Sequence, residues 1–323
     1  GQASRASSST VLAAFAGKVE NMVVASADLS NSDKTDGFLK KTTAFKKGDF
    51  SGSFLQAGVA ELTMACLMNG MALHGGVIPV GGTFFVFSDY MKPAVRLAAL
   101  MELPVKYVWT HDAFRVGEDG PTHQPVEQEA QIRLMEKLKN HSGQNSVLVI
   151  RPADVNETTV AWKMAMENTA TPTALILSRQ NIANLPESSY QNALRAEKGA
   201  YVVQDDGGTP DVVLVASGSE VATLVDGAAL LRERDGLKVR VVSAPSEGLF
   251  RSQSAEYQES VLPVGVPRFG MTAGLSVTLA GLVGENGRIW GMDSFGYSAP
   301  FKVLDEKLGF NGENVYREVK MLF

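Results

Sequence analysis

One cysteine in 323 residues, Cys66, leaves the chain unable to form a disulfide within itself and points to a reducing compartment. It sits in an apolar run, LTMACLMNG, and is expected to be a small buried core residue rather than a nucleophile. No apolar stretch reaches the roughly 18 residues that a membrane helix needs. The start, GQASRASSST, lacks the basic-then-apolar pattern of a secretory signal, so the expected location is cytoplasmic, with no membrane partner. Positive charge is not in excess. Thirty Lys and Arg against 35 Asp and Glu give a formal net charge of −5, which excludes a general nucleic-acid surface, because such surfaces rest on clustered cations. A small anionic substrate needs only a few local cations and is untouched by that argument. Histidine is scarce too, four in all; no two have ligand-like spacing, so no metal site is expected. Neither G-x-G-x-x-G nor G-x-x-x-x-G-K-[ST] is present, and no nucleotide loop is expected.

What is there suits about two globular domains by length, with 45% hydrophobic and 20% charged residues. A capped amphipathic helix is predicted over 7–20, then a strand in MVVASADLS. Residues 31–53 hold most of the early lysines and read as an exposed excursion. Helical spacing returns from Gly58 to Leu73. VIPVGGTFFVF, VKYVWTHD, VLVIRPAD and TALILSRQ then read as strands separated by helices. A turn-rich stretch, 185–210, precedes a fresh series: DVVLVASG, EVATLVDGAALLRER, KVRVVSAP. Strands alternating with helices predict an α/β protein of two consecutive domains with mostly parallel sheets, residues 1–190 and 191–323.

In open parallel sheets, ligands sit beyond the carboxyl ends of the strands. Three polar clusters take such places: SADLSNSD, THD with GEDGPTHQP, and SRQN. Each alone could be ordinary cap and turn chemistry; their joint placement favours a shared site. His111 and His123 lie in one strand-loop segment, where a His can move protons or bind phosphate. His74 reads as capping or core bonding, and His141 as solvated loop. Glu61 stands at an otherwise apolar helix start, where a charge is expensive. It either caps the helix or meets a partner, or is a carboxyl held in an apolar pocket for acid–base work. Phe84, Phe87 and Tyr90, spaced three apart, share one face if helical. On the residues alone this stripe reads as core; the alternative is a stacking wall for a flat ring.

At GEDGPTHQPVEQ, 117–128, the sequence closely resembles transketolase. So do SADL (26–29), GGTFFVFSDY (81–90), VRLAAL (95–100), RPAD (151–154), LSRQN (177–181), VASGSEV (215–221), KVRVVSAP (238–245) and SFGYSAP (294–300), in family order. The resemblance implies the thiamine-diphosphate pyrimidine-binding fold followed by the transketolase C-terminal domain. It implies transfer of two-carbon ketol units between sugar phosphates with thiamine diphosphate, in a homodimer. The cofactor's diphosphate and its Mg2+ (or Ca2+) would be held by a diphosphate-binding N-terminal domain or subunit. That domain's G-D-G…N pattern is not in this chain; EDG at 118–120 with Asn145 imitates it badly. By the same resemblance Glu61 bonds the cofactor's pyrimidine, Phe84, Phe87 and Tyr90 wall it, and Asp28 and Leu29 line its cleft. Arg5, Ser32, His111 and Arg179 grip the sugar phosphate. Asp119 and His123 contact the substrate's oxygens, with His123 assisting proton transfer. The chain departs from the family around Glu61, in the lysine-rich stretch 40–47, and at Arg115, which replaces a common Gly and is expected to add a cation near the phosphate cluster. Alternative readings are a 1-deoxyxylulose-5-phosphate synthase-like protein, an oxoacid dehydrogenase β subunit, or a non-catalytic dimerisation module.

Overall fold

The computed structural model describes all residues, Gly1–Phe323. Six strands form a first, wholly parallel sheet: β1 (Met22–Ser26), β2 (Phe54–Gln56), β3 (Ile78–Phe84), β4 (Lys106–Thr110), β5 (Leu148–Ile150) and β6 (Thr173–Leu177). Their order is β2-β1-β3-β4-β6-β5. Parallel pairing requires crossovers, and these put helices on both faces. Central strands are therefore buried along their whole length, as β4 and β6 are, which explains the unbroken apolar runs in their sequences. The helices Ser4–Ala16 and Val155–Glu167 cover one face, around Leu12, Trp162 and Leu175. Glu61–His74, Ser88–Leu100 and Gln128–Lys137 cover the other, around Met68, Val95, Trp109 and Ile132. Gly81 in β3 is what lets the Glu61 helix come so close: a Cβ there would lie 2.3 Å from Met68 Sδ.

A second sheet follows, built from β7 (Tyr201–Gln204), β8 (Val212–Ala216), β9 (Val239–Ser243), β10 (Arg268–Leu275) and β11 (Arg288–Met292). The order is β11-β10-β8-β9-β7, with only β7 antiparallel. Helices Glu220–Asp235 and Gly312–Lys320 bury Leu224 and Val315 against it. The α/β class and mostly parallel pairing agree with expectation. No helix is long and apolar enough to cross a membrane.

Three local expectations fail. The first helix runs Ser4–Ala16 rather than 7–20, because Ser4 and Ser178 hydroxyls bond each other at 3.1 Å and tie the helix start to the end of β6. The excursion 31–53 is not wholly exposed. Its first part forms short helical turns, Ser30–Asp33 and Asp36–Leu39, that bury Asp33, Thr35 and Phe38. Cys66 is exposed. Its helix is apolar all round but buries only the face of Glu61, Met64, Ala65, Met68 and Asn69, so a run of apolar letters does not say which side is covered.

Candidate active site

The predicted residues gather at the carboxyl ends of β1, β3, β4 and β6. His111 follows β4 directly, in the left-handed region at φ 61°, an uncommon conformation for a side-chain-bearing residue. Arg5 Nη1 lies 3.3 Å from its Nε2, and Thr110 Oγ1 lies 2.8 Å from its Nδ1. A guanidinium only donates, so Nε2 accepts and Nδ1–H donates to Thr110. Burial, reinforced by Arg5, Arg179 and His123, pushes His111 down to about 2; the ring is uncharged at neutral pH. Arg5 also donates to the Ser32 carbonyl at 2.7 Å. Arg179 makes no ion pair and no side-chain hydrogen bond, and comes close to Gly117. The nearby buried Asp33 bonds Ser26 and Thr35, and burial raises it above the ordinary carboxylate range, which weakens it as a counter-charge. Two guanidinium groups and neutral imidazole thus form a site of net positive charge, suited to a doubly bonded oxyanion such as a phosphate.

An aromatic series starts from the same histidine. Phe84 stacks on His111 with ring centres 3.6 Å apart. Phe87 lies parallel to Phe84 at 5.8 Å, and Tyr90 follows at 6.1 Å. His123 presents its edge to Phe84 at 6.3 Å and Phe87 at 5.5 Å. The three aromatic residues do not share one helix. Phe84 ends β3, Phe87 closes a 3₁₀ turn and Tyr90 lies in the first turn of the next helix. The series therefore climbs from the core, where Phe84 is 6% exposed, to the surface, where Tyr90 is 61% exposed. It is a wall with an open side, not a core stripe.

Glu61 begins its helix at that wall, 7% exposed. The helix N-terminus favours a negative charge there. Thr83, the residue before Phe84, is its one side-chain hydrogen-bond partner, donating to Oε1 at 3.5 Å. A buried carboxyl so weakly partnered beside an open aromatic face fits a flat nitrogenous ring whose ring nitrogen can share a proton with it, as a pyrimidine's can. Not every predicted residue joins the cluster. Asp28, at φ 64°, and Leu29 sit at the rim beyond β1, the Leu29 N–H bonding Ser26 Oγ. Asp119 is exposed in the 117–123 loop and makes no side-chain hydrogen bond. No group of three or more His, Cys, Asp or Glu side chains is placed to hold a metal ion.

Arg115 overturns its expectation. It turns away from the phosphate cluster into the second sheet's domain, bonding Glu220 Oε1 at 2.9 Å and Asp305 Oδ1 at 2.7 Å. Arg151, given no role from sequence, is buried between Asp112 (2.8 Å), Glu220 and Glu129. The RPAD and VASGSEV strings held Arg151 and Glu220, but only as resemblance; a charged residue amid apolar neighbours was the signal to follow.

A family model described as transketolase, pyrimidine binding domain, matches residues 1–184, more than half of the chain. The chain belongs to the transketolase family. A second model, transketolase-like TK C-terminal domain, matches residues 199–311. The chain is similar to the transketolase of Bacillus subtilis strain 168, 47% identical over 99% of this chain and 46% of that one. It is also similar to a Staphylococcus aureus transketolase, 43% identical over 99% of this chain and 47% of the other. Among solved structures, transketolase from Leishmania mexicana superposes with TM-score 0.90 and 39% identity, over 99% of this chain and 45% of that chain. A split-gene transketolase described as an inactive β4 tetramer gives TM-score 0.76 and 25% identity, over 100% of this chain and 98% of that one. The chain spans about half the length of the curated transketolases it matches.

Proposed function

We propose that this chain forms the pyrimidine-side half of a transketolase active site, transferring two-carbon ketol units between ketose and aldose phosphates of the pentose phosphate type. The observation that carries the reading is the continuity of the site: one imidazole, His111, joins the aromatic wall beside Glu61 to the Arg5–Arg179 cations. A cofactor ring and a sugar phosphate bound at these two ends would meet where His123 stands.

Glu61, Phe84, Phe87 and Tyr90 hold the pyrimidine of thiamine diphosphate, with Asp28 and Leu29 along the cleft. The chemistry that the cofactor supplies when bound is an electron sink for breaking a carbon–carbon bond. Glu61 holds the proton at the pyrimidine ring nitrogen. His123 moves a proton at the substrate's reacting oxygen, Asp119 orients a hydroxyl, and Arg5, Ser32, His111 and Arg179 anchor the phosphate. The diphosphate and Mg2+ (or Ca2+) belong to a diphosphate-binding N-terminal domain, on a longer polypeptide or as a separate subunit, within a homodimeric, cytoplasmic assembly. We further propose that residues 1–190 carry this site and 191–323 form the C-terminal domain, a division that the two family matches support.

The test is turnover of a ketose phosphate with an aldose phosphate acceptor by the chain together with its diphosphate-binding half, measured against pyruvate decarboxylation. Turnover confined to pyruvate would sink the reading. In the active assembly, Glu61→Gln is expected to lower kcat by roughly 10²–10⁴-fold, the usual range for losing an acid–base group, at an unchanged melting temperature.

A further inference from the structure

The loop that carries His111, Asp119 and His123 does not stand on its own sheet alone. Between His111 and Gln124 it is fastened to the C-terminal domain at three points. Arg115 is 5% exposed; besides Glu220 and Asp305 it bonds Ser219 Oγ at 2.8 Å and lies against the rings of Phe114 and Phe310. The Gln124 amide uses both its N–H donors, one on the Gly117 carbonyl at 3.0 Å and one on the Tyr297 carbonyl at 2.9 Å. Ser298 Oγ donates to the Glu118 carbonyl. The contact is close enough to demand glycine on both sides. Gly120, at φ 75°, would put a Cβ 3.1 Å from Ser298 Cβ, and a Cβ on Gly296 would meet Gln124 Oε1 at 1.9 Å. That oxygen is buried and has no partner, so the amide is held there by its two donated bonds alone.

We infer that Arg115 and Gln124 are positioning residues through which the C-terminal domain sets the placement of the 111–123 loop. The consequence for catalysis rests on the transketolase reading above; the placement itself does not. The chain offers a direct reporter, because two of its four histidines lie on the loop and the other two, His74 and His141, are exposed elsewhere. Histidine-labelled chain is compared by imidazole NMR in the wild type, Arg115→Met, Gln124→Met and Ser298→Ala. The expected result is that His111 and His123 signals move or broaden while His74 and His141 stay. Tyr201→Phe is the control: it removes a bond between the domains, Tyr201 to Glu157 at 2.8 Å, away from the loop. It should leave all four signals in place. Unmoved His111 and His123 in folded variants would overturn the inference, and so would equal movement in Tyr201→Phe, which would trace the effect to domain docking in general. Should Arg115→Met fail to fold, the two uncharged substitutions decide.

The second arm is kinetic, with the diphosphate-binding half supplied. Gln124→Met is expected to lower kcat about tenfold or more, the scale of a small misplacement of reacting groups, with KM for the sugar phosphate changed far less. Altered histidine signals with kinetic constants unchanged would overturn the functional part. A wild type that shows the expected signals but no sugar-phosphate turnover would refute the transketolase reading and leave the clamp standing.

Discussion

The two sheets are built alike, yet the crevices at their carboxyl ends have opposite fates. Beyond β1, β3, β4 and β6 the first sheet leaves an open aromatic wall, a weakly partnered carboxyl and an unpaired Arg179. Beyond β8 and β9 the second sheet is already filled. Arg151 of the first domain bonds the Ser217 carbonyl at 3.1 Å and Glu220, and its backbone N–H bonds the Pro245 carbonyl at 2.9 Å. Gly218, at φ 61°, makes room for it; a Cβ there would lie 2.7 Å from the Arg151 guanidinium carbon. Arg133 joins from the same side, bonding the Pro245 carbonyl at 3.1 Å. The place where an α/β sheet ordinarily receives a ligand receives the protein's own guanidinium groups. Strand-end position alone therefore does not mark a site; what marks it is polar chemistry left unpaired there.

Breaking the filled crevice should have the largest effect. Arg151→Met strands Asp112 and part of Glu220's charge in a dry interior. Removing one partner of a buried ion cluster typically costs about 3–5 kcal/mol, so the chain should lose that much in urea unfolding. The two domains should also cease to unfold together. A loss below about 1 kcal/mol with a single transition would show that the plug is incidental to how the domains join.

The sequence carried the alternation of elements and the positions of the main strands because β4 and β6 are buried on both faces and so spell continuous apolar runs. The polar clusters expected to share a site stand directly after those runs, and the structure brings most of their residues together at the strand ends. Arg115 was misjudged for a physical reason. Its partner Glu220 lies 105 residues away, in another domain, and no local pattern says toward which of two neighbouring polar groups a long side chain will turn. Cys66 and Phe38 failed in the same manner. Burial of a helix face depends on which neighbour reaches it, and the letters of the helix do not name that neighbour.

The seam between the sheets also carries a titration that sharpens the contrast. Burial, with help from Asp154, pushes Glu157 from 4.5 up to about 7. Between those values the folded chain keeps a proton that the unfolded chain has released. Stability therefore falls as pH rises through roughly 4.5 to 7 and the full penalty is present above that, on the order of 2 kcal/mol across pH 5 to 7.5. Glu157→Gln should flatten this slope in denaturation midpoints taken along that pH range. An undiminished slope would place the titration elsewhere.

The smallest effect belongs to the open crevice. Arg179 has no partner in the chain, so removing it strands no charge, and Arg179→Ala should leave the melting temperature unchanged. On the transketolase reading it removes half of a phosphate grip whose other cation, Arg5, is held by Ser32 and His111. Under the proposed function, KM for phosphorylated sugars should rise about tenfold, about 1.4 kcal/mol, while kcat is retained, the pattern of lost uniform binding. Unphosphorylated ketoses should be used as before. Equal loss on both classes of sugar would mean that Arg179 serves the reacting end of the substrate. The open crevice would then hold its ligand by the aromatic wall and not by charge.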